Sequence, residues 1–177
     1  MKEELIKIDS SFNEAMFLTR VNNIFMLLHT AIMSDNINLV KHYLSDDLAN
    51  KYTNIIEQNK QNNVIQMFDE FNVKISSIQN IDIMDDKIII NVSLTARYMD
   101  YKLDRATRKY VSGNNKSRDE YYYNLRFEKI RAAKDLGTIR KCPSCGASLD
   151  IMKSGECPYC HQVFDAKNYD YILVSIT

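Results

Sequence analysis

The residues best suited to chemistry are the four cysteines, and all of them lie in two Cys-x-x-Cys pairs: Cys142-Pro143-Ser144-Cys145-Gly146 and Cys157-Pro158-Tyr159-Cys160-His161, eleven residues apart. Two residues between thiols let both sulfurs of a tight turn face one point. Two such turns facing each other give the closed four-thiolate cage that zinc accepts in structural sites. The second pair also matches a thiol-redox motif and, with His161, the pattern of covalent haem attachment. A redox pair opens a helix after a strand in a βαβ unit, whereas here Gly155 precedes the pair and Val163 and Phe164 follow it. Haem attachment requires export, and Met1-Lys2-Glu3-Glu4 is acidic at once, with no apolar signal run behind it. The expectation is one structural Zn2+ held by Cys142, Cys145, Cys157 and Cys160, with His161 a spectator at a turn position.

Other titratable candidates are sparse. His29, His42, Asp100 and Asp104 could serve acid–base chemistry in a pocket, but no nucleophile–base pairing is visible, and lone histidines on amphipathic helices are commonly structural. Charge is unevenly spread on a chain of zero net charge: residues 1–96 carry −5, residues 97–141 carry +7 and residues 142–177 carry −2. Lys102, Arg105, Arg108, Lys109, Lys116 and Arg118 form a candidate surface for anions or lipid headgroups; the plain alternative is a solvated hairpin. Nucleic acid is an unlikely partner. Only Arg140, Lys141 and Lys153 flank the ribbon, without the aromatic–basic interleaving of single-strand binders.

The elements that must position these groups follow from periodicity. The chain has 177 residues, 45% of them apolar, enough for one domain with a small appendage. No apolar run approaches the ~20 residues of a spanning helix, and thiols arranged for metal rather than for bridges indicate a reducing compartment, most simply the cytoplasm. Ser11-Phe12-Asn13-Glu14 reads as a capping box ahead of a long helix bearing Phe17, Val21, Ile24, Leu28 and Ala31. Ser34-Asp35-Asn36 breaks it and starts a second helix with Leu39, Val40, Tyr43 and Leu44. Ser45-Asp46-Asp47 caps a third, with Leu48, Tyr52, Ile55 and Ile56. The run from Glu57 to Asn63 is polar enough for a loop, and Val64, Met67, Phe68 and Phe71 have helical spacing.

From Val73 the period shortens to 2, which marks sheet. Val73, Ile75, Ile81 and Ile83 share one parity, Asp85-Asp86 is a turn, and Ile88, Ile90, Val92, Leu94, Ala96 and Tyr98 alternate with polar residues. Residues 108–111 and 120–130 read as strands joined through Ser112-Gly113-Asn114-Asn115. The segment from Tyr169 to Ile176 is too apolar to stand alone, so it must rejoin the main sheet. The expected fold is α+β: N-terminal helices on a curved antiparallel sheet in a cone-like arrangement similar to nuclear transport factor 2, with the ribbon inserted before the last strand. The domain boundaries are 11–135 plus 168–177 for the main body and 139–166 for the zinc ribbon. Val92, Leu94, Tyr123 and Leu125 are the expected lining of an apolar pocket.

Several stretches together carry a narrower likeness. They are Phe25 to Tyr52, Asn62-Asn63 to Val73, Tyr98-Met99-Asp100-Tyr101 with Asp104 and Thr107, Gly113, the Cys-Pro-x-Cys-Gly-Ala run at 142–147, Ser154-Gly155-x-Cys157 and Asp170-Tyr171-x-Leu173. Over most of residues 11–177 the chain resembles bacterial members of the translocase-of-inner-membrane subunit 44-like family that carry a zinc ribbon. The chain has no tryptophan, where related sequences often place one in the first helix and last strand. The resemblance implies a non-catalytic binding or scaffold domain with an apolar pocket, because the mitochondrial relatives are peripheral proteins that tether a chaperone motor to the translocase and touch anionic lipid. On that footing the partners are a protein and an anionic membrane surface, and the location is cytoplasmic, peripheral at the inner face of the membrane. An enzyme using the cone pocket and a nucleic-acid-binding ribbon protein are the alternatives.

Overall fold

The computed structural model describes residues 2–131, 142, 144–147, 157, 159–162 and 170–177. Three α-helices, α1 (Lys2–Ile8), α2 (Glu14–Met33) and α3 (Asp46–Gln61), precede four strands, β1 (Val64–Ile83), β2 (Lys87–Asp104), β3 (Tyr110–Ile130) and β4 (Ile172–Ile176). The strands form one antiparallel sheet in the order β1-β2-β3-β4. The architecture is the expected α+β one. The cysteines fall between β3 and β4, before the last strand, as the sequence requires.

The core is the interface between the helices and one sheet face. Phe17, Val21, Ile24, Phe25, Leu28, Ala31 and Ile32 of α2 are buried together with Ile88, Ile90, Val92, Leu94, Ala96 and Tyr98 of β2 and with Leu125 and Phe127 of β3. From Ile90 to Tyr98 the alternation of β2 is realised, one face in the core and the other partly wet, while Ile89, between two core residues, is buried as well. By length and composition alone α2 could cross a membrane, with a mean hydropathy of 1.2, contrary to the expectation of no such run. Here eight of its residues are buried inside the protein.

Several local expectations are corrected. The cap of α2 is Asn13, whose Oδ1 accepts from the Met16 amide at 3.0 Å. Ser11 is not the cap: its hydroxyl donates to Asp9 at 2.6 Å. Beyond Asp35, at φ 53, the chain makes two 3-10 turns, Ile37–Leu39 and Lys41–Tyr43, instead of a second α-helix. Val40, between them, leaves helical geometry, and Leu44 turns extended to bridge Leu173. The apolar positions Val40, Tyr43 and Leu44 are buried all the same, because two short turns can present the same side chains as one helix. Ser45 caps α3 as expected, accepting from the Leu48 amide. The helix continues through the polar run to Gln61.

The largest correction is β1. Its first half, expected to be helical, is strand from Val64 onward. The ladder to β2 shifts register between Asp69 and Asn72, between Val73 and Ile75, and between Ile78 and Asn80. Each bulge inserts an unpaired residue and resets which face the next side chain meets. Phe68 and Phe71, three apart, thus both pack on the core, imitating a helical period. The same resetting turns Ile75 outward, 62% exposed, while Ile78 and Ile81 stay inward.

The expected turn at Ser112–Asn115 is also absent. Gly113 lies inside β3 opposite Tyr101. The reversal is at Asp104–Lys109, where the Asp104 amide donates to the Lys109 carbonyl and Arg108 adopts φ 60. Facing bulges in β1 and β3, with six residues of β3 (Asn114 to Asp119) spanning the step from Asp100 to Tyr98, bend the sheet so that its far end closes over the end of α2. The Phe68 amide reaches Met33 Sδ at 3.2 Å there, and Arg105 pairs with Asp35 at 2.5 Å.

Candidate metal centre

The two Cys-x-x-Cys turns are built on the same frame. In the first, the Gly146 amide donates to the Cys142 carbonyl at 2.8 Å and the Cys142 amide to the Ala147 carbonyl at 2.7 Å; in the second, His161 donates to Cys157 and Cys157 to Gln162, each at 2.9 Å. Gly146 and His161 occupy equivalent positions and both have positive φ, 72 and 58. That is the turn position at which the sequence places His161 as a spectator. Glycine adopts this conformation freely and histidine does so at a cost.

All four sulfurs lie within 4.8 Å of one another. Cys142 Sγ is 3.5 Å from Cys160 Sγ, and Cys145 Sγ is 3.8 Å from Cys157 Sγ. A tetrahedron of thiolates around zinc at ~2.3 Å has edges of about 3.8 Å, so the donor set fits such an ion. The separations are far from the bond length of a disulfide, and all four are free thiols. The amides of Ser144 and Cys145 both point at Cys142 Sγ, at 3.4 Å. Burial opposes the Cys142 thiolate, yet these amides outweigh it and bring the thiol down to about 7. The Ala147 amide favours the Cys145 thiolate, but burial and the neighbouring sulfurs push that thiol up to about 12. Four such groups ionise together only around a compensating cation.

The acid–base candidates are not brought together. His29 is buried in a box of Phe25, Phe68, Phe71 and Tyr98 rings, 4.4 to 5.4 Å between centroids, with Nδ1 donating to the Phe25 carbonyl at 2.8 Å. Burial brings it down to about 4. His42 packs against Tyr43 on the second 3-10 turn, with the two rings tilted by 52°. Asp104 is a turn anchor, accepting from the Ala106 amide, the Thr107 amide and the Thr107 hydroxyl. Asp100, held up by burial, accepts from Gln66 Nε2 at 2.6 Å.

Val92, Leu94 and Leu125, expected to line a pocket, are each 1% exposed and belong to the closed core; Tyr123 is partly exposed and hydrogen-bonded to the Tyr98 hydroxyl. Of the six basic residues, Arg105 is drawn inward to Asp35 and to the Val64 carbonyl, and Arg118 is 3.4 Å from Glu70. Lys102, Arg108, Lys109 and Lys116 appear in none of the ion pairs found among the described residues. Arg140, Lys141, Lys153, Val163, Phe164, Tyr169 and most of the segment 139–166 lie outside the described residues.

One polar site had no sequence signal. Asp9, beyond α1, is buried against Lys129 of β3 at 2.8 Å and against the Tyr171 hydroxyl at 3.2 Å. Beside it Arg20 of α2 pairs with Asp170. These contacts tie the return from the cysteine segment to both the helices and the sheet. Their partners are more than a hundred residues apart, so no local pattern announces them.

Fold and site together define a helix-backed antiparallel sheet domain bearing a four-thiol centre between its last two strands. A family model described as the Tim44-like domain matches residues 2–137, and the chain belongs to that family. The match stops short of Cys142, so the thiol centre rests on its own residues. Among solved structures, "Crystal structure of intermembrane space region of chloroplast protein ARC6" aligns at 12% identity and TM-score 0.48, over 67% of this chain and 86% of that one. No curated protein matches.

Proposed function

We propose that this chain is a non-catalytic binding module, a peripheral adaptor that joins a protein partner to an anionic membrane face, with one structural zinc on Cys142, Cys145, Cys157 and Cys160. The reading places it on the cytoplasmic side, where thiolates persist. The observation that carries the non-catalytic part is the structural use of the titratable candidates: His29 is spent on an intrahelical bond inside an aromatic box, and Asp104 on a turn. Family membership supports the adaptor role. The duplicated knuckle and the sulfur spacing support zinc, which when bound would neutralise the thiolates and close the segment.

The test is metal analysis of protein purified without chelator, together with vesicle co-sedimentation. About one zinc per chain is expected, lost on Cys157→Ser. A metal content near zero defeats the zinc assignment, and no partition to anionic vesicles defeats the membrane-facing part.

An acid–base reading of the cone interior has one observation behind it. The Asp100 carboxylate, raised chiefly by burial, lies close enough to Tyr98, Tyr121 and Tyr123 to perturb their phenols. A turnover abolished by Asp100→Asn would favour this reading over the adaptor.

A further inference from the structure

The thiol centre is built for a chemistry that holding a metal does not use. Cys145 and Cys160 are exposed, whereas Cys142 and Cys157 are buried. Each exposed sulfur has a buried one of the other turn beside it: Cys160 Sγ lies 3.5 Å from Cys142 Sγ, and Cys145 Sγ lies 3.8 Å from Cys157 Sγ. Closing either contact to a covalent bond brings the sulfurs together by only roughly 1.5 to 2 Å. An accessible thiolate next to a second thiol lets a peroxide oxidise the first while the second resolves it. Within the first turn the Ser144 and Cys145 amides already point at Cys142 Sγ, and drawing Cys145 Sγ onto it disturbs both bonds. The cross-turn contacts join residues 18 and 12 apart in the chain, so bonds there restrain the open segment more than bonds within a turn.

We infer that Cys145 and Cys160 are sites of oxidation by hydrogen peroxide, and that their oxidation joins the two turns through Cys142–Cys160 and Cys145–Cys157 disulfides, a covalent closure in place of a metal one. The release of an ion rests on the zinc reading above; the pairing rests on the sulfur geometry. In each half the exposed thiolate attacks one peroxide oxygen, the O–O bond breaks, hydroxide leaves and a sulfenic acid forms. The thiolate of the buried partner then attacks that sulfur, the S–O bond breaks and a second hydroxide leaves as the disulfide forms. Over both halves four thiolates give four electrons to two peroxide molecules, four hydroxides result, and no thiolate remains to hold an ion. The ends of the segment stay tied by Arg20–Asp170 and Lys129–Asp9, so the exchange is confined to the stretch between β3 and β4. Thiol reductants reverse it.

Full-length protein purified without chelator is treated with hydrogen peroxide and followed with a chromogenic zinc chelator, a thiol reagent and unreduced peptide mapping by mass spectrometry. Two equivalents of peroxide should remove all four free thiols, release the bound zinc and link the two Cys-x-x-Cys peptides to each other. Dithiothreitol with added zinc should reverse all three changes. Trypsin cuts after Lys141, Lys153 and Lys167 and leaves both cysteines of a turn on one peptide, so single variants assign the partners. Cys160→Ser should keep the Cys145–Cys157 link and leave Cys142 free to alkylate, and Cys145→Ser should keep Cys142–Cys160 and leave Cys157 free. Both variants report the pairing whether or not they hold metal. Wild type without zinc defeats the zinc reading, and the peptide map still decides the pairing. Thiols that survive excess peroxide, stop at sulfinic acid, or form Cys142–Cys145 and Cys157–Cys160 bonds or bonds between chains overturn this inference and leave the zinc reading standing.

Discussion

His29 and the Asp9–Lys129 pair are where single side chains govern this fold. His29 has a folded value of about 4 against an ordinary 6.5, because burial disfavours its charged form. Between those values the unfolded chain binds a proton that the native state refuses. Stability is therefore complete above pH 6.5 and falls as pH drops toward 4, by about 3 kcal/mol in total. Thermal melts at pH 7 and pH 4.5 should show this loss, and His29→Gln should flatten the dependence; an unchanged profile would refute the attribution. Burial pushes the Asp9 carboxyl up, but Lys129, Ser11 and Tyr171 outweigh it and hold it below its usual range. Its contribution is likewise lost as acid protonates it. Lys129→Met leaves a buried carboxylate unpaired and should cost about 3 to 5 kcal/mol, while Asp9→Asn/Lys129→Met should recover much of that. Denaturant titration of the three variants decides it.

Among the elements, β3 makes the sharpest demand on a single residue. Gly113 has φ 103, and a Cβ there would meet the Asp100 carbonyl oxygen and lie 2.5 Å from Tyr101 Cα. Both are backbone of β2, which cannot move without parting the ladder that bends the sheet. Gly113→Ala should therefore destabilise by roughly 2 kcal/mol or more, from the strained φ and the clash together. The expected signature is a lower denaturation midpoint at unchanged slope. A midpoint within error of wild type would show that this part of the hairpin is looser than its register.

For the molecule as a whole, the cysteine segment leaves and re-enters at one place, because Glu128 and Ile172 are direct partners across β3 and β4. A long insertion whose ends are already adjacent costs the main body little closure entropy whether or not it is ordered. The Arg20–Asp170 and Lys129–Asp9 contacts hold those ends in place without help from the thiol cluster. If the thiol cluster holds zinc as proposed, a strong chelator should then leave the main thermal transition nearly where it was and loosen only the two Cys-x-x-Cys turns. Calorimetry and proteolysis, with and without chelator, check this. Collapse of the main transition on chelation would mean that the two parts fold as one.

How much was legible in the sequence depended on how far each signal reaches. The Cys-x-x-Cys pairs, the Ser45 cap, the alternation of β2 and the need of the last strand for a sheet are local patterns with local causes, and they determined the four-thiol cluster, the helix-then-sheet order and the place of β4. What fell outside that reach was decided by tertiary contacts. Bulges opposite β2 turned the apparently helical spacing of Phe68 and Phe71 into strand, because only the partner strand dictates which residue goes unpaired. Gly113, a plausible turn residue by type, was placed inside a ladder by the close approach of Tyr101. Asp9 and Lys129 were joined, and Arg105 was taken out of the basic surface, by partners distant in the chain. Charge, glycine and period are properties of a residue and its neighbours, whereas burial and pairing belong to the closed fold, and only the fold shows which of the two prevails.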